Sequence, residues 1–458
     1  MTENLRNGFF FVAGVFASFF CFQNTVFASD FSTPLSNLSN NEKFEFYIGE
    51  NVFKKFWVPS PSSTTASDGL GPLFNTRSCN NCHINNGRGH APEANINGIS
   101  VPSFLIRLGK SYPNQNTPSN HVYPHIGDKT YGHQFQSQST TGISPEGDYY
   151  LTYQTHTEVL SDGTKIELRK PQLHWRTLHY GNFEESTGFT MLASPALVGM
   201  GLLDSIPDKS ILANADPNDS NNDGISGRVN WLDEEQTVIG RFGYKASVET
   251  VDQQNQSAFH TDLGLSTPLN PTASGDCTSR QRDCLNSPNG NSSHLDNLEV
   301  DEQQMRLVDL FVSLSSPPAM RNLKTTAFLE GKRVFDAAGC AGCHTPKMKT
   351  GNDSPLKALN NRTFYPFTDL LLHDMGPELA SGFPSFSASP SEWRTAPLWG
   401  LGLSEQISGR SGFLHDGRAR NIEEAILWHG GEATSSQRHF KALTRENRQK
   451  LIFFLESL

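Results

Sequence analysis

Cys79-Asn80-Asn81-Cys82-His83 and Cys340-Ala341-Gly342-Cys343-His344 are two copies of one pattern, Cys-x-x-Cys-His. The pattern is that of c-type haem attachment, in which two thiols add to the porphyrin vinyl groups and the adjoining imidazole reaches the iron. The spacing is what this chemistry needs. One tight turn presents both sulfurs to one edge of a macrocycle and leaves the histidine room to swing beneath the metal. A structural zinc site needs its cysteine pairs close together, whereas these pairs begin at 79 and 340. A thioredoxin-like redox pair would give His83 and His344 no role. The expectation is two covalently bound haem c groups, one on Cys79, Cys82 and His83, the other on Cys340, Cys343 and His344.

The N-terminus sets the expected compartment. One Arg in the first eight residues, the apolar run Phe9 to Phe22, and the small-residue site Val26-Phe27-Ala28 together make a secretory signal over 1–28 rather than an uncleaved anchor. Haem attachment of this type behind a signal of this type points to a periplasm, with no membrane insertion after signal cleavage. The 7 cysteines then divide cleanly. Cys21 leaves with the signal, four hold haem, and Cys277 and Cys284 remain to close a small disulfide loop in an oxidising compartment. The formal charge of -10 disfavours nucleic acid as a partner and suits a basic periplasmic electron donor or acceptor.

With 36% apolar and 18% charged residues, 38 Gly and 26 Pro, the chain is globular and rich in loops. Its length suggests two or three domains. Apolar spacing predicts helices over Glu42 to Trp57, Gln303 to Leu314, Thr325 to Ala338 and Glu446 to Leu458. Leu151 to Glu158, the turn Ser161-Asp162-Gly163-Thr164 and Lys165 to Arg169 predict a β-hairpin. The expected fold is therefore mainly α. It has an N-terminal c-type haem domain (29–150), an insert with the hairpin (151–300), and a C-terminal cytochrome c-like haem domain (301–458). Within the insert, Asp219, Asn221 and Asp223 before Gly224 follow the start of a calcium loop. Asn230 stands where such a loop has its bidentate Glu. Both a calcium-type turn and a surface turn that binds nothing remain open.

A pentad fills only one axial position of its iron, and the other decides whether the iron is closed or open to a ligand. For the second haem the candidate is His429. Asn421 caps a helix with an acidic first turn, Gly430-Gly431 stops it, and Ile422, Ala425, Ile426 and His429 share one face. Met375 is the second choice. For the first haem no histidine stands out among His90, His121, His125 and His133. Glu93 and His90 are the candidates for a proton-shuttling group beside it.

Three long motifs carry a resemblance: Trp393 to Gly402, Phe413 to Ala419, and Glu423 to Ala433. Gly69 to Cys79 and Asp223 to Arg228 extend it over nearly the whole chain beyond the signal. The sequence resembles the di-haem oxidoreductase family, itself distantly similar to bacterial dihaem cytochrome c peroxidases and to the MauG enzymes. The resemblance implies a peroxidase-like oxidoreductase with one relay haem and one reactive haem. In the peroxidase relatives the position matching His429 supplies a distal Met or Tyr, and the turn matching His415 to Gly417 packs near the haem edge. Histidine at 429 implies a bis-histidine second haem of low potential. The peroxidases' distal histidine at the first haem has no clear counterpart here. A carrier with both irons closed, or a haem accessory protein in metal or thiol metabolism, are the rival readings.

Overall fold

The computed structural model describes residues 31–94, 101–112, 124–410 and 412–458. The expected signal segment with Cys21, and His121, lie outside these residues. Helices start where polar side chains take up free amide groups. Ser39 Oγ accepts from Glu42 N at 3.3 Å and Glu42 Oε2 accepts from Ser39 N at 2.7 Å, a capping box that opens α1 (Asn40–Lys54). Strands β1 (Phe104–Gly109), β2 (Gly147–Val159), β3 (Lys165–Leu178) and β4 (Gly188–Ala193) follow. Then come α2 (Val251–Leu263), α3 (Glu302–Leu314) and α4 (Thr326–Ala337). The chain closes with α5 (Ile422–Leu427), α6 (Thr434–Ala442) and α7 (Arg445–Glu456). Thr250, Asp301, Thr325, Asn421 and Thr444 each cap the helix that follows.

The expectation of a mainly α fold built from two cytochrome c-like domains is corrected here. Helices account for 30% and strands for 19% of the structure. β2 and β3 form one long antiparallel hairpin, Gly147 opposite Leu178 through to Val159 opposite Lys165. β1 and β4 pair from Phe104 with Ala193 to Gly109 with Gly188. Both runs of this second pair are short and apolar, and periodicity does not separate a buried strand from a buried helical turn at that length.

The largest core also runs through the whole chain. α1 lies against α3, with Phe46 and Phe53 ring centroids 5.0 and 5.1 Å from that of Phe311. The same core takes in Leu202, Phe259, Leu263 and Leu371. Gly49 makes the α1–α3 approach possible, because a Cβ there would run into the Leu307 carbonyl. A second core joins Phe328 and Phe335 of α4, Leu451 and Phe454 of α7, and Phe367. It also includes Leu160 and Leu168 from the hairpin, whose tip is pinned to the C-terminal helices. Arg448 Nη2 meets Asp162 Oδ2 at 2.9 Å and Lys441 Nζ meets Glu158 Oε2 at 2.5 Å.

No helix among the described residues is long and apolar enough to cross a membrane. Cys277 and Cys284 are joined by a disulfide. Labelling of free thiols in the denatured, non-reduced protein should find neither of them. Replacing one by Ala should destabilise the chain by less than the about 2–5 kcal/mol typical of small secreted domains. Labelling of both would remove the bridge from this account.

Candidate haem centres

Cys79–Cys82 form a single helical turn after Ser78, and the chain then passes through Asn85 and Asn86 at φ 53° and 61°. Asn tolerates this left-handed conformation better than most residues. The turn leaves His83 with Nδ1 2.8 Å from the Pro195 carbonyl oxygen. A carbonyl only accepts, so Nδ1 carries the proton and Nε2 keeps its lone pair for a metal. Burial pushes the His83 pKa down to about 4, which keeps the ring neutral. Burial raises the thiols of Cys79, to about 12, and of Cys82. Such thiols are poor thiolates while nothing is bound to them.

The second pentad repeats this arrangement with different partners. Gly339, at φ 80°, turns the chain out of α4 into the short helical turn Cys340–Gly342. His344 Nδ1 donates to the Phe367 carbonyl at 2.9 Å, again leaving Nε2 free, and burial takes its pKa to about 4. Phe367 itself sits at φ 53°, where a bulky side chain is seldom found, so the carbonyl that orients His344 is held by a strained residue.

His429 lies just beyond the helix expected to carry it. α5 ends at Leu427, and His429 N reaches Ile426 O at 3.1 Å in a tighter last turn. Its Nδ1 donates to Ala425 O at 2.7 Å, so its Nε2 is also free. It enters the same cavity, of about 230 Å³, as Cys340, Cys343, His344 and Met375. His429 is close enough to His344 to disfavour a proton on it. His429 and Met375 also form part of an outer cleft of about 520 Å³, roofed by His156 and Lys170 of the hairpin. With Gln437, which also lines both, they form the partition between cavity and cleft.

Among the described residues no such partner acts on His83, whose pKa is set by burial and the Pro195 carbonyl. His90 is half-buried, with Nδ1 lacking a hydrogen-bond partner. Glu93 lies at the surface, 3.3 Å from Arg169 and 3.8 Å from Arg410. His125 and His133 stack edge-on at 5.4 Å, and His133 Nδ1 lies 3.0 Å from Asp276 Oδ1. None of these groups lines the second cavity.

In the calcium-like turn, Asp219 accepts from the amides of Asp223 and Gly224, and Asn221 donates to Asp223 at 3.0 Å. Among the described residues no group of three or more His, Cys, Asp or Glu side chains is placed to hold a bare metal ion. The loop leans on the second pentad, since Ile225 lines its cavity and Ser226 donates to Glu432 at 2.8 Å.

Glu432 belongs to a cluster with no sequence signal. His373 Nε2 lies 2.9 Å from Asp369 Oδ2, and its Nδ1 lies 2.8 Å from Glu432 Oε2 and 3.5 Å from Cys343 Sγ. Burial opposes charge on His373, but hydrogen bonds to Asp369, Cys343 and Glu432 outweigh it and raise the pKa to about 12. A buried imidazolium therefore stands against the second pentad. Asp369 sits in an irregular loop and Glu432 is 59 residues from His373, so no local spacing announces them.

Paired thiols, an imidazole with a free Nε2 beside each pair, and a largely apolar cavity suit a porphyrin rather than a bare ion. The chain matches the family described as "Di-haem oxidoreductase, putative peroxidase" over residues 13–458. It belongs to the di-haem oxidoreductase family. Haem is accordingly the cofactor type of this di-haem oxidoreductase. Comparison with curated proteins gives no match. Among solved structures, a chain titled as Kuenenia stuttgartiensis hydrazine synthase pressurized with xenon is similar over 76% of this chain and 90% of that one. At 13% identity and a TM-score of 0.30 this likeness carries no argument.

Proposed function

We propose that this di-haem oxidoreductase is an exported, periplasmic enzyme with two covalently attached haem c groups and peroxidase-like chemistry. His344 and His429 close the second iron, which relays electrons from a periplasmic donor. His83 holds the first iron, which is the reactive one. The observation that carries the reading is the asymmetry between the pentads: His429, with a free Nε2, lines the same cavity as His344, and among the described residues no histidine acts on His83.

Haem iron supplies one-electron redox chemistry and, where a position is open, a place for an oxidant to bind. Peroxide reduction to water also needs protons. Of the two candidate shuttles, His90 is better suited, because its Nδ1 is buried and unpartnered while Glu93 lies between two arginines. Whether the turn at Asp219, Asn221 and Asp223 takes calcium is a separate question, which a calcium titration of the purified chain would answer.

The test is the spin state of the ferric, haem-loaded protein. One low-spin and one high-spin haem are expected, the latter binding cyanide and reacting with hydrogen peroxide. Denaturing mass spectrometry should find two haem masses on a polypeptide cleaved near residue 28. Two low-spin haems inert to cyanide and peroxide, in both the oxidised and half-reduced protein, would make the chain an electron carrier instead.

A further inference from the structure

The wall of the second cavity contains two guanidinium groups among largely apolar neighbours. Arg88 comes from the segment just after the first pentad, and Arg394 from the strand segment Glu392–Arg394. Arg88 donates to the carbonyls of Gly412 and Leu414, both at 3.0 Å. Arg394 donates to the carbonyls of Gly243 at 3.0 Å and Thr395 at 3.2 Å. Both guanidinium charges are felt at Tyr244, whose hydroxyl donates to the Ala193 carbonyl at 2.6 Å.

Among the described residues neither arginine forms an ion pair with a carboxylate. The anions nearby are committed elsewhere. Asp416 is held by Arg418 at 2.7 Å, and Asp369 by His373 at 2.9 Å. A buried cation satisfied only by neutral carbonyls is costly unless an anion joins it. Burial already takes Arg394 down to about 10. Lys245 differs, because its three donors are spent on the carbonyls of Ser389, Pro390 and Glu392.

A porphyrin of the haem type has two carboxylates, so two unpaired guanidiniums match it in number and charge. Their planar, forked donors also suit carboxylate oxygens. We propose that Arg88 and Arg394 clamp the carboxylates of the haem at His344, and that Arg88 thereby ties the first attachment segment to the second haem. This rests on the dihaem reading above. Arg88 is five positions from His83 and donates to the segment 412–414, so a change around the first iron reaches the second haem through one side chain.

The experiment uses Arg88→Gln, Arg394→Gln and Arg394→Lys in the full haem-loaded chain. Two haem masses on each variant show that attachment is intact, which separates failure of the clamp from failure of the dihaem reading. The second haem is identified as the one whose spectrum changes in His429→Ala, and each midpoint potential is followed by optical redox titration. Loss of a nearby cation disfavours the added electron. Each Gln variant should therefore lower the reduction equilibrium constant of the second haem about tenfold, equivalent to about 59 mV for a one-electron couple. Arg394→Lys should restore most of that change. An unshifted second haem in Arg88→Gln, or a shift confined to the first haem in either Gln variant, would overturn the assignment. If Arg394→Gln does not accumulate, Arg88→Gln decides alone.

Discussion

His429→Ala should convert the second haem from low to high spin and leave the first haem unchanged. The imidazole is a strong-field ligand, and its orientation is already set by the 2.7 Å bond from Nδ1 to the Ala425 carbonyl. Its removal also opens the partition between cavity and outer cleft, so exogenous ligands such as cyanide should reach the iron from that side. The potential of this haem should rise, because neutral imidazole donation favours the ferric state. The measurement is the ferric optical and electron paramagnetic spectrum of the loaded variant. A wild-type spectrum in His429→Ala, with an altered one in Met375→Ala, would move the ligand to Met375, which lines the same cavity.

His373→Ala should be strongly destabilising, at about 3–5 kcal/mol, because it strands the buried carboxylate of Asp369 and the part-buried one of Glu432. Asp369 and Glu432 both lean on the ring, and among the described residues neither forms an ion pair with an arginine or lysine. The pH dependence follows from the direction of the shift. His373 is raised from its ordinary value of 6.5 to about 12 in the folded chain. Its contribution is therefore complete below pH about 6.5 and is lost progressively as pH rises towards 12. Glu432 is held below its ordinary value against burial, so its share fades as pH falls through the acid range. Denaturant unfolding of wild type and His373→Ala at pH 6 and pH 9 should show the gap between them narrowing at the higher pH. An equal gap at both would mean that the ring acts by packing, not charge.

What could be read from the chain alone was local chemistry. Each pentad is a set of neighbours at fixed spacing, and the capping residues Asn421, Thr325 and Thr444 sit beside the helices they start. The expected hairpin turn at 161–164 is in place because Asp-Gly there specifies its own geometry. The extent of strand was not legible, because Phe104–Gly109 and Gly188–Ala193 owe their conformation to each other across the fold. The groups that orient the histidines were also hidden. Pro195 and Phe367 contribute backbone carbonyls, and a carbonyl has no signature in sequence. Arg88 and Arg394 are ordinary arginines until the cavity brings them to Tyr244. His429 lay between these cases, since its inward position was readable while the helix end at Leu427 was not.

The seating of α1 on α3 has a consequence in time. Glu45 and Arg306, which pair across that contact, are 261 residues apart in sequence. Closing so long a loop comes late in folding, because its entropy must be lost before the contact repays it. Phe53, which packs on Phe311, also lies beside His83, with ring centroids 6.4 Å apart. The first pair of thiols therefore stays accessible on the growing chain until residues 302–314 exist to cover α1. A chain stopped before residue 302 should leave Cys79 and Cys82 open to modification, an interval set by the topology itself.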